Sequence, residues 1–365
     1  MKQILRLLCL VSLVFAVGMV SLAQDDSDAD VSDLLGEYVE YGEPGVVVYM
    51  RLGEDEWIGV GGLANLDTEE AVMTDDLFRI ASATKPFVAT VVLQLAENGD
   101  IDLDAPIADY VPAEVAEGLI NIDTATIRQM LQMTSGIFNY TESDAFNDAV
   151  DADPSYQWTA AETLGFVVDE DPYFEPSEGY YYSNSNYNLA QIVIETVTGN
   201  SLAVELEARI FAPVGMDACY LETPDRFAQG IVRGYQLGDG DGYEDVTEYN
   251  DGTGLGDGGI VCNATDLAKF LPALANGDLL GEAMLAEMLN TVDDGEGGAY
   301  GLGIGYDESD YGTMVGHDGA SSGFQSSMVY FPDDDAVVIV LTNNMDSEII
   351  EDIAYDAIDY LLGEG

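Results

Sequence analysis

Positively charged residues are scarce in this sequence of 365 residues. Ten lysines and arginines stand against 69 aspartates and glutamates, which gives a formal net charge of −59. A surface this acidic repels the phosphates of nucleic acids and the headgroups of anionic membranes. We therefore expect neither as a partner, and we interpret the charge as suited to a salty or acidic exterior. Nothing in the sequence indicates an oligomeric state.

Histidine and cysteine are also rare, with one histidine and three cysteines and no Cys-x-x-Cys pair. A zinc site is therefore not expected. The acidic segment 239–244 lacks the ligand and the glycine that an EF-hand loop needs there. We predict no metal and no cofactor. Cys219 and Cys262 could pair in an oxidising compartment, but a chain of this length does not require a disulfide, so the pairing stays open.

Long apolar runs are absent except near the start of the chain. Residues 7–20 are apolar, follow Lys2 and Arg6, and precede a small-residue pattern that ends at Ala23. The run is shorter than the roughly 20 residues that span a bilayer and is typical of a secretory signal peptide. We predict a signal peptide at 1–23, a flexible acidic segment at 24–32, and a secreted protein, extracellular or periplasmic, with no stable membrane insertion after cleavage. A retained membrane anchor is the alternative.

The residue pattern predicts strands at both ends of the chain and helices between them. Residues 45–51 and 56–61 are β-rich and flank a short polar turn, which predicts a hairpin. Further strands are predicted at 313–315, 325–331 and 336–341, and helices at 81–98, 127–133, 188–197, 264–275 and 347–362.

This order of elements predicts an α+β fold, in which an antiparallel sheet is flanked by helices and joined to an all-helical lobe. We expect one domain at 33–362. Residues 33–100 and 251–362 would form its sheet lobe, and residues 101–250 its mainly helical lobe. A cleft between lobes is the usual place for a site.

A Ser-x-x-Lys element opens the helix predicted at 81–98. Ser82 and Lys85 are three residues apart, so they lie on one helix face. A serine hydroxyl needs a base to become a good nucleophile, and a partly desolvated lysine can be that base. Alone the element is common by chance, but Lys85 is one of only two lysines after Lys2.

Two further elements carry groups of use to the same chemistry. In Tyr182-Ser183-Asn184 the phenol can relay a proton and the amide of Asn184 can hold a substrate carbonyl. An aromatic-rich loop that only packs on the helical lobe would have the same residue pattern. In His317-Asp318-Gly319 the histidine and glycine point the same way along a predicted strand. Gly319 would leave room for a substrate backbone, whereas a lone histidine is more often structural.

Together the three elements resemble the serine β-lactamase and penicillin-binding-protein superfamily in their order and spacing. The flanking residues agree with this resemblance at 78–81, 131–136 and 258–261. The resemblance covers about 33–362. It is strongest to class C β-lactamases and to secreted D-alanyl-D-alanine carboxypeptidases with a His-x-Gly third motif. It implies a β-lactamase/transpeptidase-like fold, a serine hydrolase that uses an acyl-enzyme, and a small-molecule or peptide substrate.

The resemblance also implies roles for individual residues. Ser82 would be the acylated nucleophile, and Lys85 and Tyr182 would share general acid and base work, in an order that the sequence leaves open. Asn184 would bind the acyl-side amide. His317 would stand where many relatives have lysine and support the site electrostatically.

The same resemblance implies an oxyanion hole. It would consist of the backbone N–H groups of Ser82 and Ala320.

Two alternatives compete with this interpretation. Residues 319–323 fit a Gly-x-Ser-x-Gly nucleophile elbow around Ser321, but that fold places its histidine after the serine and the only histidine precedes it. A non-catalytic sensor of the same fold is the other alternative, and intact Ser82, Lys85 and Tyr182 argue against it.

The substrate is the least determined part of the prediction. Carboxypeptidases and β-lactamases hold a substrate carboxylate, normally with a cation or hydroxyls near the third motif. Here Asp318 stands where relatives more often have threonine or serine, and no arginine follows Arg233. We therefore expect neutral or amine-bearing esters and amides, as in the esterase and D-aminopeptidase-like branches. D-Alanyl-D-alanine carboxypeptidase or β-lactamase activity is the alternative.

Overall fold

A nine-stranded antiparallel sheet is the centre of the protein. The computed structural model describes Leu35 and residues 43–238, 242–252, 254–295 and 297–363. The strand order is β3-β2-β1-β14-β13-β12-β11-β10-β9. These strands are β1 (Gly45–Leu52), β2 (Asp55–Asn65), β3 (Glu70–Ala71), β9 (Val292–Asp293), β10 (Ala299–Tyr300), β11 (Gly305–Ser309), β12 (Gly312–Ser321), β13 (Phe324–Phe331) and β14 (Ala336–Thr342).

The central strands are apolar on both faces because helices cover both. In β1, Val47 and Tyr49 join the larger core, whereas Val46, Val48 and Met50 join a second core on the opposite face. Successive side chains of a strand point to opposite faces, so an unbroken apolar run is the pattern of a strand buried on both sides.

Two small sheets complete the β-structure. β4 (Phe78–Arg79), β8 (Ile260–Cys262) and β5 (Tyr220–Leu221) form an antiparallel sheet with β8 in the middle. β6 (Tyr235–Leu237) pairs with β7 (Tyr243–Asp245). The first of these sheets matters for the site, because β4 leads directly into the turn that carries Ser82.

Twelve α-helices are found among the described residues, and most lie between β4 and β9. They are α1 (Lys85–Glu97), α2 (Ala113–Ala116), α3 (Ile127–Leu131), α4 (Asp144–Ala152), α5 (Ala160–Gly165), α6 (Ser185–Thr198), α7 (Leu202–Leu206), α8 (Ala212–Val214), α9 (Ala264–Leu267), α10 (Phe270–Ala275), α11 (Glu282–Met288) and α12 (Ile350–Leu362).

Two helices hold the sheet from opposite sides. α1 packs in the larger core, where the ring of Phe87 stacks on Phe270 of α10 at a centroid distance of 3.7 Å. α12 covers the other face and buries Ile353 and Ala357 against β1, β13 and β14. Within the described part of the chain no helix is both long and apolar enough to cross a membrane.

The predicted fold class, an antiparallel sheet flanked by helices, is confirmed. The helix predicted at 264–275 is two helices, α9 and α10, and the second carries Pro272 in its first turn, where a missing N–H is tolerated. The helix predicted at 347–362 begins at Ile350. The lobe boundaries stay a prediction, and the predicted signal peptide and acidic segment lie outside the described residues.

Cys219 and Cys262, whose pairing the sequence left open, form a disulfide. The register of β5 and β8 explains it. Tyr220 faces Val261, which places the two cysteines opposite each other as the next cross-strand pair. The disulfide therefore closes the same small sheet that supports β4.

Candidate active site

Ser82 lies in a tight helical turn, Ala81–Thr84, between β4 and α1. Ala81 has a φ of 47°, a left-handed conformation that is unfavourable for a residue with a Cβ and that recurs at functional sites. Two hydrogen bonds hold the chain at Ile80, two residues before the serine. Ile80 donates its N–H to Ile260 at 3.0 Å and accepts from the Ser326 hydroxyl at 2.7 Å.

Lys85 begins α1 and is fully buried. Its Nζ lies 2.9 Å from the Ser82 Oγ and 2.7 Å from the main-chain oxygen of Asp257, within hydrogen-bond range of both. Burial lowers the pKa of Lys85 to about 7, while the carboxyl group of Asp257 acts in the opposite direction. A lysine with this pKa is available as a neutral base near neutral pH.

Tyr182 stands over the lysine, with the centre of its ring 4.8 Å from Lys85 Nζ. Burial raises the pKa of the Tyr182 phenol above its ordinary value, and its interaction with the Ser82 side chain lowers it. The phenol is therefore protonated in the resting site. It can donate a proton once a stronger base, such as a leaving group, develops beside it.

Asn184 immediately precedes α6, and its main-chain N–H donates to the Asn139 side chain at 3.0 Å. Asn184 lines both cavities that open at Ser82. Its position therefore fits contact with a substrate on either side of the nucleophile.

His317 is held by two hydrogen bonds on β12. Nδ1 lies 2.6 Å from the main-chain oxygen of Asp318, a pure acceptor, so Nδ1 carries the proton and Nε2 accepts from the Tyr300 hydroxyl at 3.0 Å. Burial and, to a smaller extent, Lys85 lower the pKa of His317 to about 3. The imidazole is therefore neutral, and it can support the site by hydrogen bonding but not by a positive charge.

Gly319 lies against the nucleophile turn. A Cβ at this position would overlap the Ile80 carbonyl oxygen and lie 2.9 Å from the Ser82 nitrogen. Gly319 also lines the larger cavity, so its predicted contact with a substrate backbone stays a prediction. On the side where a Cβ would lie, the protein's own backbone fills the space. Ala320, the next residue, lines both cavities.

Two cavities meet at Ser82. The larger measures about 1090 Å³ and runs from Tyr182 and Asn184 past β12 to α12. The smaller measures about 80 Å³ and lies between the nucleophile turn, Thr141, residues 251, 252, 257 and 258, and the end of β12. Ser82, Asn184 and Ala320 line both, so the nucleophile sits at their junction.

The described residues that line the larger cavity include six carboxylates and neither lysine nor arginine. The acidic residues are Asp294, Asp307, Asp310, Asp318, Glu348 and Glu351. Arg233, the last arginine of the chain, lies outside this lining and pairs with Asp245 at 3.7 Å. The expected shortage of cations for a substrate carboxylate therefore holds for the cavity lining.

Ser321 of the Gly-x-Ser-x-Gly segment ends β12, and the chain turns directly into β13. A nucleophile elbow requires a strand followed by a helix. The geometry therefore agrees with the exclusion of that alternative by residue order.

Sequence reasoning missed Asp257 and Tyr300. Asp257 is buried, its carboxyl group accepts from the Tyr140 hydroxyl at 2.8 Å, and burial raises its pKa to about 6 against the effect of Lys85. Tyr300 forms an aromatic wall with Tyr182 and His317. One sequence signal could have indicated Asp257. It directly precedes Gly258 and Gly259, which belong to the flanking segment 258–261 of the family resemblance.

Comparison with known proteins agrees with the geometry. Residues 31–361 match the family described as Beta-lactamase. Penicillin-binding protein 4* of Bacillus subtilis (strain 168) is 28% identical over 323 residues, which cover 82% of this chain and 68% of that protein. The D-aminopeptidase of Brucella anthropi is 26% identical over 306 residues, 83% of this chain and 56% of that protein. This chain therefore matches little more than half of the aminopeptidase.

A solved structure matches over nearly the full length of both chains. The D-stereospecific amidohydrolase from Streptomyces sp. superimposes with a TM-score of 0.81 at 29% identity, and the match covers 94% of this chain and 100% of that chain. Because the family match spans almost the whole sequence, the protein belongs to the beta-lactamase family of serine hydrolases.

Proposed function

We propose that the protein hydrolyses an ester or amide through an acyl-enzyme formed on Ser82. The observation that carries this proposal is the 2.9 Å contact between the Ser82 hydroxyl and the buried Lys85. A hydroxyl group becomes a competent nucleophile when a base within hydrogen-bond range can take its proton. Lys85 meets this requirement because its burial disfavours the charged form.

In the proposed reaction, the Ser82 Oγ bonds to the substrate carbonyl carbon while its proton passes to Lys85. The bond to the leaving group breaks, and the leaving nitrogen or oxygen takes a proton from Tyr182, which Lys85 restores. Water then attacks the acyl carbon, the bond from that carbon to Ser82 Oγ breaks, and the acid product leaves. The proton lost by the water passes through Lys85 and Tyr182 to the Ser82 Oγ, which restores the hydroxyl. The backbone N–H groups of Ser82 and Ala320 would hold the oxyanion, and losing one such donor costs about 3 to 4 kcal/mol of barrier.

Asn184 and His317 would position the substrate. Asn184 faces both cavities, so its amide can hold the acyl side while the leaving group occupies the larger space. His317 would fix the aromatic wall through Tyr300 and would offer no charge to the substrate.

The substrate class follows from the charge of the larger cavity. With carboxylates and no lysine or arginine on its described lining, the cavity favours neutral or amine-bearing groups over carboxylates. Relatives carry matching names, including esterase EstB of Burkholderia gladioli, 31% identical over half of this chain, and D-aminopeptidase. A carboxypeptidase or β-lactamase is the second candidate, supported by the similarity to penicillin-binding protein 4*.

The test is turnover of p-nitrophenyl propionate, of benzylpenicillin and of a peptide ending in D-Ala-D-Ala, followed by intact-protein and peptide mass spectrometry. We expect ester hydrolysis, a propionyl adduct on Ser82, and loss of both in Ser82→Ala. Ser155→Ala, a change at an exposed serine, is the matched control. Rapid penicillin hydrolysis or efficient release of D-alanine with poor ester turnover would favour the second candidate, and ester turnover that survives Ser82→Ala would refute the proposed nucleophile.

We also propose that the protein is secreted after removal of residues 1–23. The support is the sequence of the first 23 residues. Expression of the full chain in a bacterial host and N-terminal sequencing of the exported protein test this. A chain that starts near Gln24 is expected, and full-length protein in the membrane fraction would contradict it.

A further inference from the structure

Both ring nitrogens of His317 are used within the protein. Nδ1 donates to the main-chain oxygen of Asp318 at 2.6 Å, and Nε2 accepts from the hydroxyl of Tyr300 at 3.0 Å. A neutral imidazole has one donor nitrogen and one acceptor nitrogen. His317 lines the larger cavity, but neither nitrogen is left to bind a substrate there.

Tyr300 is held beside His317 by its neighbours. It is buried, and its backbone pairs with Gly305 of β11. Its ring packs edge-on against two tyrosines of the same cavity lining, at centroid distances of 5.8 Å from Tyr180 and 6.2 Å from Tyr182. The hydroxyl of Tyr300 therefore stays within reach of Nε2 instead of turning to solvent.

The surroundings of His317 oppose a positive charge on its ring. The titratable and charged groups packed against it are Lys85 of α1, Tyr182, Tyr300 of β10 and its own neighbour Asp318. Burial and, to a smaller extent, Lys85 lower the pKa of His317 to about 3. A hydrogen bond accepted by Nε2 favours the neutral ring further, because protonation of Nε2 would break it.

We propose that Tyr300 determines specificity by keeping the imidazole of His317 neutral, so that the enzyme excludes substrates whose leaving group carries a carboxylate. The inference deepens the proposed function and rests on it, because the leaving group is placed in the larger cavity beside His317. A cation at this position would attract such a carboxylate. Tyr300 acts through His317 and is therefore a positioning residue.

The charge of His317 can be observed directly, because the chain has a single histidine. Untagged protein labelled with ¹⁵N-histidine gives one pair of imidazole signals in an NMR spectrum. From about pH 8 to about pH 5 we expect the wild-type ring to keep its proton on Nδ1 and none on Nε2. In Tyr300→Phe the midpoint of protonation should rise by about one unit or more, since the hydrogen bond to the neutral form is lost.

The effect on specificity is measured with two esters that share their acyl group. These are 3-carboxyphenyl propionate and 3-carbamoylphenyl propionate, followed by release of the phenol with Ser82→Ala as the blank. The readout is the carboxyl-to-carbamoyl ratio of kcat/KM, divided by the same ratio for uncatalysed hydrolysis. Both esters depend on Lys85, so the ratio cancels changes in the base.

We expect a ratio below one in the wild-type enzyme. Tyr300→Phe should raise it by about 10-fold at the acidic end of the pH range, as expected for a hydrogen bond to a charged group. Near pH 8, where the ring of His317 is neutral in both proteins, the two ratios should agree.

Two further variants separate this effect from a change in packing. Tyr306→Phe removes another hydroxyl from the same cavity lining, one that donates to Glu308 at 2.9 Å. It should leave the NMR signals and the ratio as in the wild-type protein. The double variant Tyr300→Phe/His317→Gln should lose the gain, because it has no ring to protonate.

Tyr300→Phe must change both the ring and the ratio, and a change in neither or in only one overturns the inference. A gain that persists in the double variant also overturns it. If Tyr300→Phe fails to fold, the wild-type spectrum carries the test, and a proton on Nε2 above pH 6 overturns the inference. In all these cases turnover of the carbamoyl ester through Ser82 leaves the proposed function intact. If neither ester acylates Ser82, the proposed function fails and the inference fails with it.

Discussion

The Nζ of Lys85 is bound at 2.7 Å by the main-chain oxygen of Asp257, the residue whose carboxyl group also acts on the charge of that lysine. One residue therefore fixes where the base lies and influences when it is protonated. The two effects can be separated by mutation, because replacing the carboxyl group leaves the main-chain oxygen in place.

The pH dependence of activity should show this separation. With p-nitrophenyl propionate, we expect kcat/KM to rise with pH and to reach half its maximum near 7, as Lys85 loses its proton. Asp257→Asn removes the group that raises the pKa of Lys85, so the rise should move to lower pH by about one unit or more. Asp104→Asn, at an exposed ion pair with Arg128, is the matched control. An unchanged profile in Asp257→Asn would contradict this role.

Gly319→Ala should damage both folding and activity. The new Cβ overlaps the Ile80 carbonyl oxygen, and overpacking of this kind costs about 1 to 3 kcal/mol of the free energy of unfolding. Because the displaced segment carries Ser82, kcat should fall as well. Gly165→Ala, at the end of α5 with no atom within 4 Å of the new Cβ, should be neutral or slightly stabilising. Urea unfolding and ester turnover measure both effects.

Replacing only one partner of the buried ion pair near the nucleophile turn should lower the free energy of unfolding strongly. Arg79 and Glu222 pair at 2.8 Å with side-chain exposures of 1% and 0%. Arg79→Met should lower the free energy of unfolding by about 3 to 5 kcal/mol, because it leaves a buried carboxylate without its partner.

The double variant Arg79→Met/Glu222→Leu should lose less than Arg79→Met, since no charge is then left unpaired. For comparison, Asp104→Asn at the exposed pair should cost less than about 1 kcal/mol. A double variant less stable than the single one would show that the pair is strongly favourable in itself.

Removal of the disulfide should lower stability without removing the catalytic groups. Cys219 and Cys262 are 43 residues apart, and a crosslink closing a loop of this length stabilises a protein by about 4 kcal/mol in the chain-entropy description. We expect a loss of that order or less in Cys219→Ala/Cys262→Ala, measured by urea unfolding. The wild-type protein under reducing conditions should show the same loss, and resistance of its stability to reduction would contradict the expectation.

The parts of the site that the sequence predicted are close together in the chain. Ser82 and Lys85 are three residues apart in a helical segment, so their contact follows from local geometry. The fold class followed from the apolar runs, because strands buried on both faces and amphipathic helices have distinct patterns.

The parts that the sequence did not predict depend on distant segments. The contact between Lys85 and Asp257 spans 172 residues, and the smaller cavity is built from five separate segments. The disulfide required the register of β5 against β8. The contact of Gly319 with the nucleophile turn was not predicted because the closeness of β12 to that turn is a tertiary feature.

The closeness of β12 to the nucleophile turn also determines how β12 can pair with β13. His317 faces Met328 and Gly319 faces Ser326 across the β12–β13 ladder. A slip of one residue would turn Asp318 or Ala320 toward the Ile80 carbonyl oxygen, and neither can occupy a space that excludes even a Cβ. Gly319, which has no side chain, thus allows one register of β12 against β13 and excludes the registers shifted by one residue. Correct pairing of β12 and assembly of the nucleophile turn are therefore the same event.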